Sequence, residues 1–256
     1  MSGLIWLDSD TPLPEPERAL PEGLLAAGSD LSVARLQEAY SKGIFPWFNE
    51  GDPVLWWSPD PRMVLACADF KVSRSLGKRL RQIAQQEDSA DPAVVVTTDL
   101  AFDHVIRACA GPRNTQAGTW ISERIIRCYR EWHQLGRVHS VETWIDGRLA
   151  GGLYGVNLGG FFFGESMFAW QTDASKIALA HLVRFLERHG VSHVDCQQET
   201  RHLASLGAAP MCRQDFLALL GKALLRPEPA WQAGRLLHDG RLQPIGDAPP
   251  QSEDQP

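Results

Sequence analysis

A stretch near the middle of the chain leaves its backbone little choice. From His139 to Phe168 the sequence runs HSVETWID, RLAGGLYGV and FFFGESMF, with Asp146-Gly147 at the first junction and Asn157-Leu158-Gly159-Gly160 at the second. These junctions supply the turn residues that tight reversals need, and the runs between them are rich in β-formers. Three consecutive antiparallel strands are therefore expected. Thr172 or Asp173 can then cap a helix from about Ala174 to His189, stopped by Gly190. Val191 to Cys196 reads as a further strand and Asp215 to Leu225 as a further helix.

A three-stranded meander followed by a helix and a strand resembles the core of the acetyltransferase-like fold. Upstream, residues 1 to 30 read as an extended arm punctuated by prolines, with little regular structure. Helices are expected over Ser32 to Lys42, over Ser73 to Gln86 and from Ser122 to Gly136. Between the first two, Gly43-Ile44-Phe45-Pro46-Trp47-Phe48 and Leu55-Trp56-Trp57-Ser58-Pro59-Asp60-Pro61-Arg62 place aromatics in proline-broken backbone, a pattern of domain seams and cleft walls. The expected class is α+β. An N-terminal arm and small aromatic-rich domain occupies residues 1–62, an acetyltransferase-like catalytic domain with a mainly antiparallel sheet 63–235, and a disordered tail 236–256.

Five cysteines, odd in number and never spaced C-x-x-C, suggest neither a disulfide framework nor a zinc site. No apolar run nears the ~20 residues that span a bilayer. The start MSGLIWLDSDTPLPEPE lacks the basic end and apolar stretch of a signal peptide. A cytoplasmic protein, with no membrane partner, is expected. The net charge of −6 disfavours indiscriminate nucleic-acid binding, yet residues 1–60 carry −7 and residues 61–140 carry +4. Within the second segment, Arg74, Lys78 and Arg81 fall at i, i+4 and i+7 along one helix stripe, either a phosphate-facing row or a solvated face.

Four blocks together resemble the leucyl/phenylalanyl-tRNA-protein transferase family: Tyr40-x-x-Gly43-Ile44-Phe45-Pro46-Trp47, Trp56-Trp57-Ser58-Pro59-Asp60-Pro61-Arg62, Gly164-Glu165-Ser166-Met167-Phe168 and Asp195-Cys196-Gln197. Gly118-Thr119-Trp120-Ile121 and Ser205-Leu206-Gly207-Ala208 agree with it, and the likeness covers about residues 20 to 225. Phe163 departs from the smaller residues of some members, which bears on pocket shape. The resemblance implies transfer of Leu, Phe and, less readily, Met from Leu-tRNA, Phe-tRNA and Met-tRNA to proteins that begin with Arg or Lys. That transfer marks the proteins for degradation in the N-degron pathway. No ATP, metal or other cofactor is implied, because the amino acid arrives as an activated ester.

The attacking α-amine has an unperturbed pKa of ~7.7 to 8.0, so most of it is protonated at neutral pH. Asp195 ends an expected strand and Gln197 lies two residues on, on the same strand face, so the pair is expected to point into the cleft and to orient and deprotonate the amine. An Asp195 that only makes a structural hydrogen bond or holds the incoming cation, with ribose hydroxyls of the tRNA assisting, stays open. Glu165 sits beside an apolar strand, a costly place for an unpaired carboxylate, and is expected to hold the α-amino group of the charged amino acid or else a buried arginine. Phe162, Met167 and Leu153 are candidates for an apolar side-chain pocket, or plain core. Trp47, Trp57 and Trp120 are candidates to frame the terminal adenine, or core. Tyr40 and Ser166, from the matching blocks, complete the substrate-binding set. The row Arg74, Lys78 and Arg81 suits acceptor-stem phosphates.

Two other function classes compete. An acyltransferase using acyl-coenzyme A would want a glycine-rich turn at a helix N-terminus, whereas Ala169-Trp170-Gln171-Thr172-Asp173 has no glycine and ends in an acid. A non-catalytic RNA-binding module is weakened by the acidic balance. Cys196 as a nucleophile lacks a base in sequence, and no G-x-S-x-G, P-loop or Rossmann pattern is present.

Overall fold

The computed structural model describes residues 4–111 and 119–244. The strands are β1 (Ile5–Leu7), β2 (Leu24–Gly28), β3 (Phe45–Pro46), β4 (Val54–Trp57), β5 (Arg62–Ala66), β6 (Val94–Thr98) and β7 (Val138–Ile145). They continue with β8 (Arg148–Leu158), β9 (Phe161–Ala169), β10 (His193–Gln197), β11 (Ala209–Met211), β12 (Gly234–Leu236) and β13 (Leu242–Pro244). The helices are α1 (Val33–Ser41), α2 (Arg74–Gln86), α3 (Phe102–Ala110), α4 (Glu123–Gln134), α5 (Ala174–Arg188), α6 (Arg201–Ser205) and α7 (Arg213–Leu224). A four-stranded sheet orders β1-β2-β4-β3, and a nine-stranded one orders β11-β5-β10-β9-β8-β7-β6-β12-β13. The α+β class and the mainly antiparallel sheet are as expected.

The meander β7-β8-β9 forms where turn chemistry demanded it. Asp146 and Gly147 both adopt positive φ, the geometry of a type I′ hairpin whose twist matches its strands. Ser32, Ser73 and Ser122 cap α1, α2 and α4, each side chain accepting a backbone N–H three residues on. Two core clusters lie on the two faces of the large sheet. One gathers α1, α3, α4, α7 and the small sheet, and the other α2 and α5.

Several expectations need correction. The N-terminal arm holds two strands: β1 pairs parallel to β2, and β2 pairs antiparallel to β4, which buries Leu7, Leu25 and Ala26. Its prolines fall between those strands. Residues 236–244 are not tail, because Leu236 and Leu242 pair in the β12/β13 hairpin that extends the sheet beyond β6. The rest of the expected tail lies outside the described residues. Asp173 precedes α5 at φ 63° but its side chain makes no cap, binding Lys176 instead.

One junction decides where the site can be. The strands β9 and β10 are the only parallel neighbours of the large sheet's described residues, joined by α5 as a parallel crossover requires. They pair only at Phe162↔Val194 and Phe163↔Asp195. Beyond that the strands part company. A bulge between Asp195 and Gln197, where β10 lies against β5, puts Gln197 at φ 61°. The sheet thus opens between Gly164–Met167 and Cys196–Gln197.

Glu142, wholly buried on β7, receives hydrogen bonds from the Thr97 and Ser140 hydroxyls. Burial pushes its carboxyl up to about 7 against the pull of those hydroxyls. In the unfolded chain it titrates near ~4.3. The folded state therefore holds the proton more tightly, and the associated stability is full below the unfolded pKa and lost as pH rises through 7. Glu142→Gln is expected to exceed the parent in stability at pH 8 by about 2–3 kcal/mol and to match it near pH 4.5, read by urea unfolding at both values.

Candidate active site

A cavity of about 390 Å³ fills the split in the sheet. Its floor is apolar: Leu153 from β8, Phe162 and Met167 from β9, and Leu179 and Leu182 from α5. Trp47, just after β3, and Trp120, before α4, line the cavity as well. Gln197 ends β10 and Gln198 follows it, and His202 projects from α6. The floor residues bring no charge, so the cavity accepts an apolar side chain and rejects a polar one by desolvation.

Glu165 is the carboxylate of this cavity. Tyr40 Oη, from α1, donates to Glu165 Oε1 at 2.6 Å and lies 2.6 Å from Tyr129 Oη of α4. The Tyr129 hydroxyl is also within 3.3 Å of Glu165 Oε2, and Gln197 Nε2 donates to Oε1 at 3.0 Å. Burial raises both phenols well above their ordinary range, and the neighbouring Glu165 charge raises them further, so they stay protonated and donate. Burial likewise pushes Glu165 up to about 7, while the Tyr40 hydroxyl pulls it down and the Asp195 charge pushes it up. Three elements, α1, α4 and β10, converge on this one side chain of β9. Its hydrogen-bond partners are hydroxyls and an amide, and no arginine forms an ion pair with it among the described residues.

Asp195 does not occupy the place expected of it. It is 0% exposed and absent from the cavity wall, and its carboxylate forms two bonds with Arg62 of β5, Nε to Oδ1 at 2.8 Å and Nη2 to Oδ2 at 2.6 Å. The bulge is the reason: it breaks the two-residue alternation, so Asp195 and Gln197 no longer share a face, and Cys196 and Gln197 turn to the cavity. Asp195 Oδ1 also accepts the backbone N–H of Gln197 at 2.8 Å, which holds the strained φ of that residue. Arg62 in turn donates to Gly43 O at 3.1 Å and lies 4.6 Å from the ring centroids of both Phe45 and Phe216. Gly43 adopts φ +71°, and a Cβ there would come 2.8 Å from Phe216 and Leu217. Glycine is therefore required where the carbonyl turns toward the guanidinium.

Of the other expected residues, Phe162, Met167, Leu153, Ser166, Trp47 and Trp120 line the cavity, whereas Trp57 does not. Trp57 packs edge-on against Trp47 at 5.6 Å and donates its Nε1–H to Trp47 O, so it supports that wall. Tyr40 acts through Glu165. Phe163 does not line this cavity; it is buried against Tyr40 at 5.1 Å, ring edge to face. Arg74, Lys78 and Arg81 are exposed on α2, away from the cavity wall, and form no ion pair among the described residues. Gly118 lies outside the described residues. Sequence reasoning missed Tyr129, whose helical spacing with Ile125, Ile126 and Trp132 reads as core, and His202, which stands in no motif. Arg62 carried a signal: a lone arginine in the apolar run RMVLA needs a buried partner.

Residues 64–221 match the family described as Leucyl/phenylalanyl-tRNA protein transferase, and residues 29–60 match its N-terminal domain. The chain belongs to the leucyl/phenylalanyl-tRNA protein transferase family. It is thereby an enzyme of the aminoacyltransferase class. A relative of that name from Bordetella petrii is 61% identical over 243 residues, covering 94% of this chain and 96% of its own. One from Bordetella avium is 59% identical over 239 residues, covering 93% and 96%, and one from Nitrosomonas europaea is 57% identical over 212 residues, covering 82% and 86%. A solved GCN5-related N-acetyltransferase from Kribbella flavida overlaps with a TM-score of 0.36 at 13% identity, covering 68% of this chain and 58% of its own. Among the described residues no helix is long and apolar enough to cross a membrane.

The Arg62–Asp195 pair makes a measurable demand. Asp195→Ala strands a buried guanidinium and is expected to lower the unfolding free energy by about 3–5 kcal/mol. The double variant Arg62→Met with Asp195→Leu is expected to lose clearly less, as compared by urea unfolding.

Proposed function

We propose that this chain transfers Leu, Phe and, less readily, Met from aminoacyl-tRNA to the N-terminal amine of proteins that begin with Arg or Lys, in the cytoplasm. The observation that carries the reading is a single carboxylate, Glu165, held by two protonated phenols and an amide above an apolar floor. An aminoacyl ester presents the matching chemistry: an α-ammonium for Glu165 and an apolar side chain for Leu153, Phe162 and Met167. Such a floor separates similar apolar side chains by only ~1–3 kcal/mol, which accounts for a donor set of Leu, Phe and Met. Trp47 and Trp120 frame the terminal adenine, each offering a face to stack on.

In this reading Gln197 orients the acceptor amine with the amide oxygen that its bond to Glu165 leaves over. Asp195 is a positioning residue, acting through the Gln197 backbone and Arg62. The exposed row Arg74, Lys78 and Arg81 meets acceptor-stem phosphates. Proteins so extended would be those marked for degradation.

The decisive assay incubates the protein with Phe-tRNA or acetyl-coenzyme A and an Arg-initiated peptide. Extended peptide is expected from the tRNA alone; product from acetyl-coenzyme A, or none from the tRNA, refutes the reading. Reversal of Arg74, Lys78 and Arg81 to Glu is expected to raise the KM for charged tRNA at least tenfold and to spare kcat, with the difference shrinking as salt rises. Glu165 gives a pH signature. Its carboxyl, raised to about 7, must ionise to hold an ammonium, so affinity for an aminoacyl-adenosine amide analogue is expected to strengthen as pH rises from 6 through 7 and to fall again above ~8 as the ligand's own amine deprotonates. Glu165→Gln should flatten that profile in a calorimetric titration.

A further inference from the structure

Aminolysis of an ester leaves a proton to be moved. Once the amine nitrogen bonds to the carbonyl carbon it carries positive charge, and the amide forms only after a proton departs. The cavity offers few takers. Asp195 is sealed behind Arg62 and off the wall. Glu165 is engaged by Tyr40, Tyr129 and Gln197, and in the function proposed above it also holds the donor's ammonium. Cys196 faces the cavity, but burial pushes its thiol up to about 12, which keeps it protonated. Gln197, Gln198 and Thr200 are not basic.

His202 is different. It lines the same cavity as Glu165 and Gln197, carried on α6 a few residues after Gln197. The Thr200 side chain caps that helix by accepting the Leu203 N–H, which fixes the turn presenting the ring. The imidazole makes no hydrogen bond among the described residues, so both ring nitrogens are available. Lys176 of α5 stands near it, with Asp173 as partner at 2.9 Å. Partial burial and that Lys176 charge hold the ring below the ordinary histidine range, hence neutral at pH 7.

We propose that His202 is the base that takes the proton from the attacking amine. The inference rests on the function proposed above. The neutral acceptor amine attacks the ester carbonyl and forms the N–C bond, and one N–H proton passes to the imidazole. As the tetrahedral intermediate collapses, the C–O bond to the ribose breaks, and the imidazolium returns the proton to the departing ribose oxygen. The products are an amide and a free ribose hydroxyl, with no other reactant needed. Lys176 suits such a shuttle, since a nearby cation makes the imidazolium release its proton readily.

The test uses the full chain with Phe-tRNA and an Arg-initiated peptide in single-turnover mode. His202→Gln and His202→Ala are expected to slow transfer by ~10²-fold, while the KM for charged tRNA changes less than threefold. Added imidazole should restore part of the rate to His202→Ala and none to Glu165→Gln. His202 is exposed, so both variants should keep the parent's thermal midpoint. Transfer within threefold of the parent in both variants overturns the proposal, as does a slow His202→Ala that imidazole fails to rescue. Absence of transfer by the parent protein overturns the function reading instead.

Discussion

The buried pair of Arg62 and Asp195 is the constraint on which the rest of the molecule turns. It links β5 to β10, and through Gly43 O and the rings of Phe45 and Phe216 it ties in the loop after α1 and the helix α7. Two charges removed from water cost several kcal/mol each, and this cost is offset only where geometry and extra hydrogen bonds are nearly complete. Here Arg62 has two carboxylate bonds and a carbonyl, and Asp195 has the guanidinium and a backbone N–H. The small sheet, the large sheet and α7 must therefore dock together before the pair is satisfied. That common docking also sets Phe45 and Trp47 in the lining of the cavity.

Around this anchor the cavity divides its chemistry by environment. Glu165, with neutral donors around it, is left near the point of ionisation, whereas Asp195 is spent on a permanent cation. Two carboxylates a few residues from one sheet junction thus play unlike parts. The phenols of Tyr40 and Tyr129 come from α1 and α4, so a carboxylate on β9 is oriented by helices from both parts of the chain.

Local chemistry was legible in the sequence, and long-range pairing was not. The hairpin at Asp146-Gly147 and the serine caps were readable because their determinants lie within a few residues of one another. The strands β5, β6 and β12 gave no such signal, since each exists by virtue of partners far along the chain. The family motifs located Glu165, Met167 and two of the three tryptophans. Strict strand alternation misplaced Asp195, because it puts that residue beside Gln197 and a bulge does not announce itself in a run such as Val194-Asp195-Cys196-Gln197. Tyr129 was hidden by its company on an apolar helix face, where a phenol that bonds Glu165 and one that merely packs look alike.

Leu153 and Phe162 are at once cavity floor and members of the core cluster that includes α2 and α5. The same two side chains therefore bound the cavity and maintain the packing that keeps the chain folded. Retuning this enzyme toward bulkier or smaller side chains therefore changes the folded state's own interior. Variants of altered selectivity would arise mainly in backgrounds with stability to spare, and a conserved preference need not mean that selection acted on the preference itself.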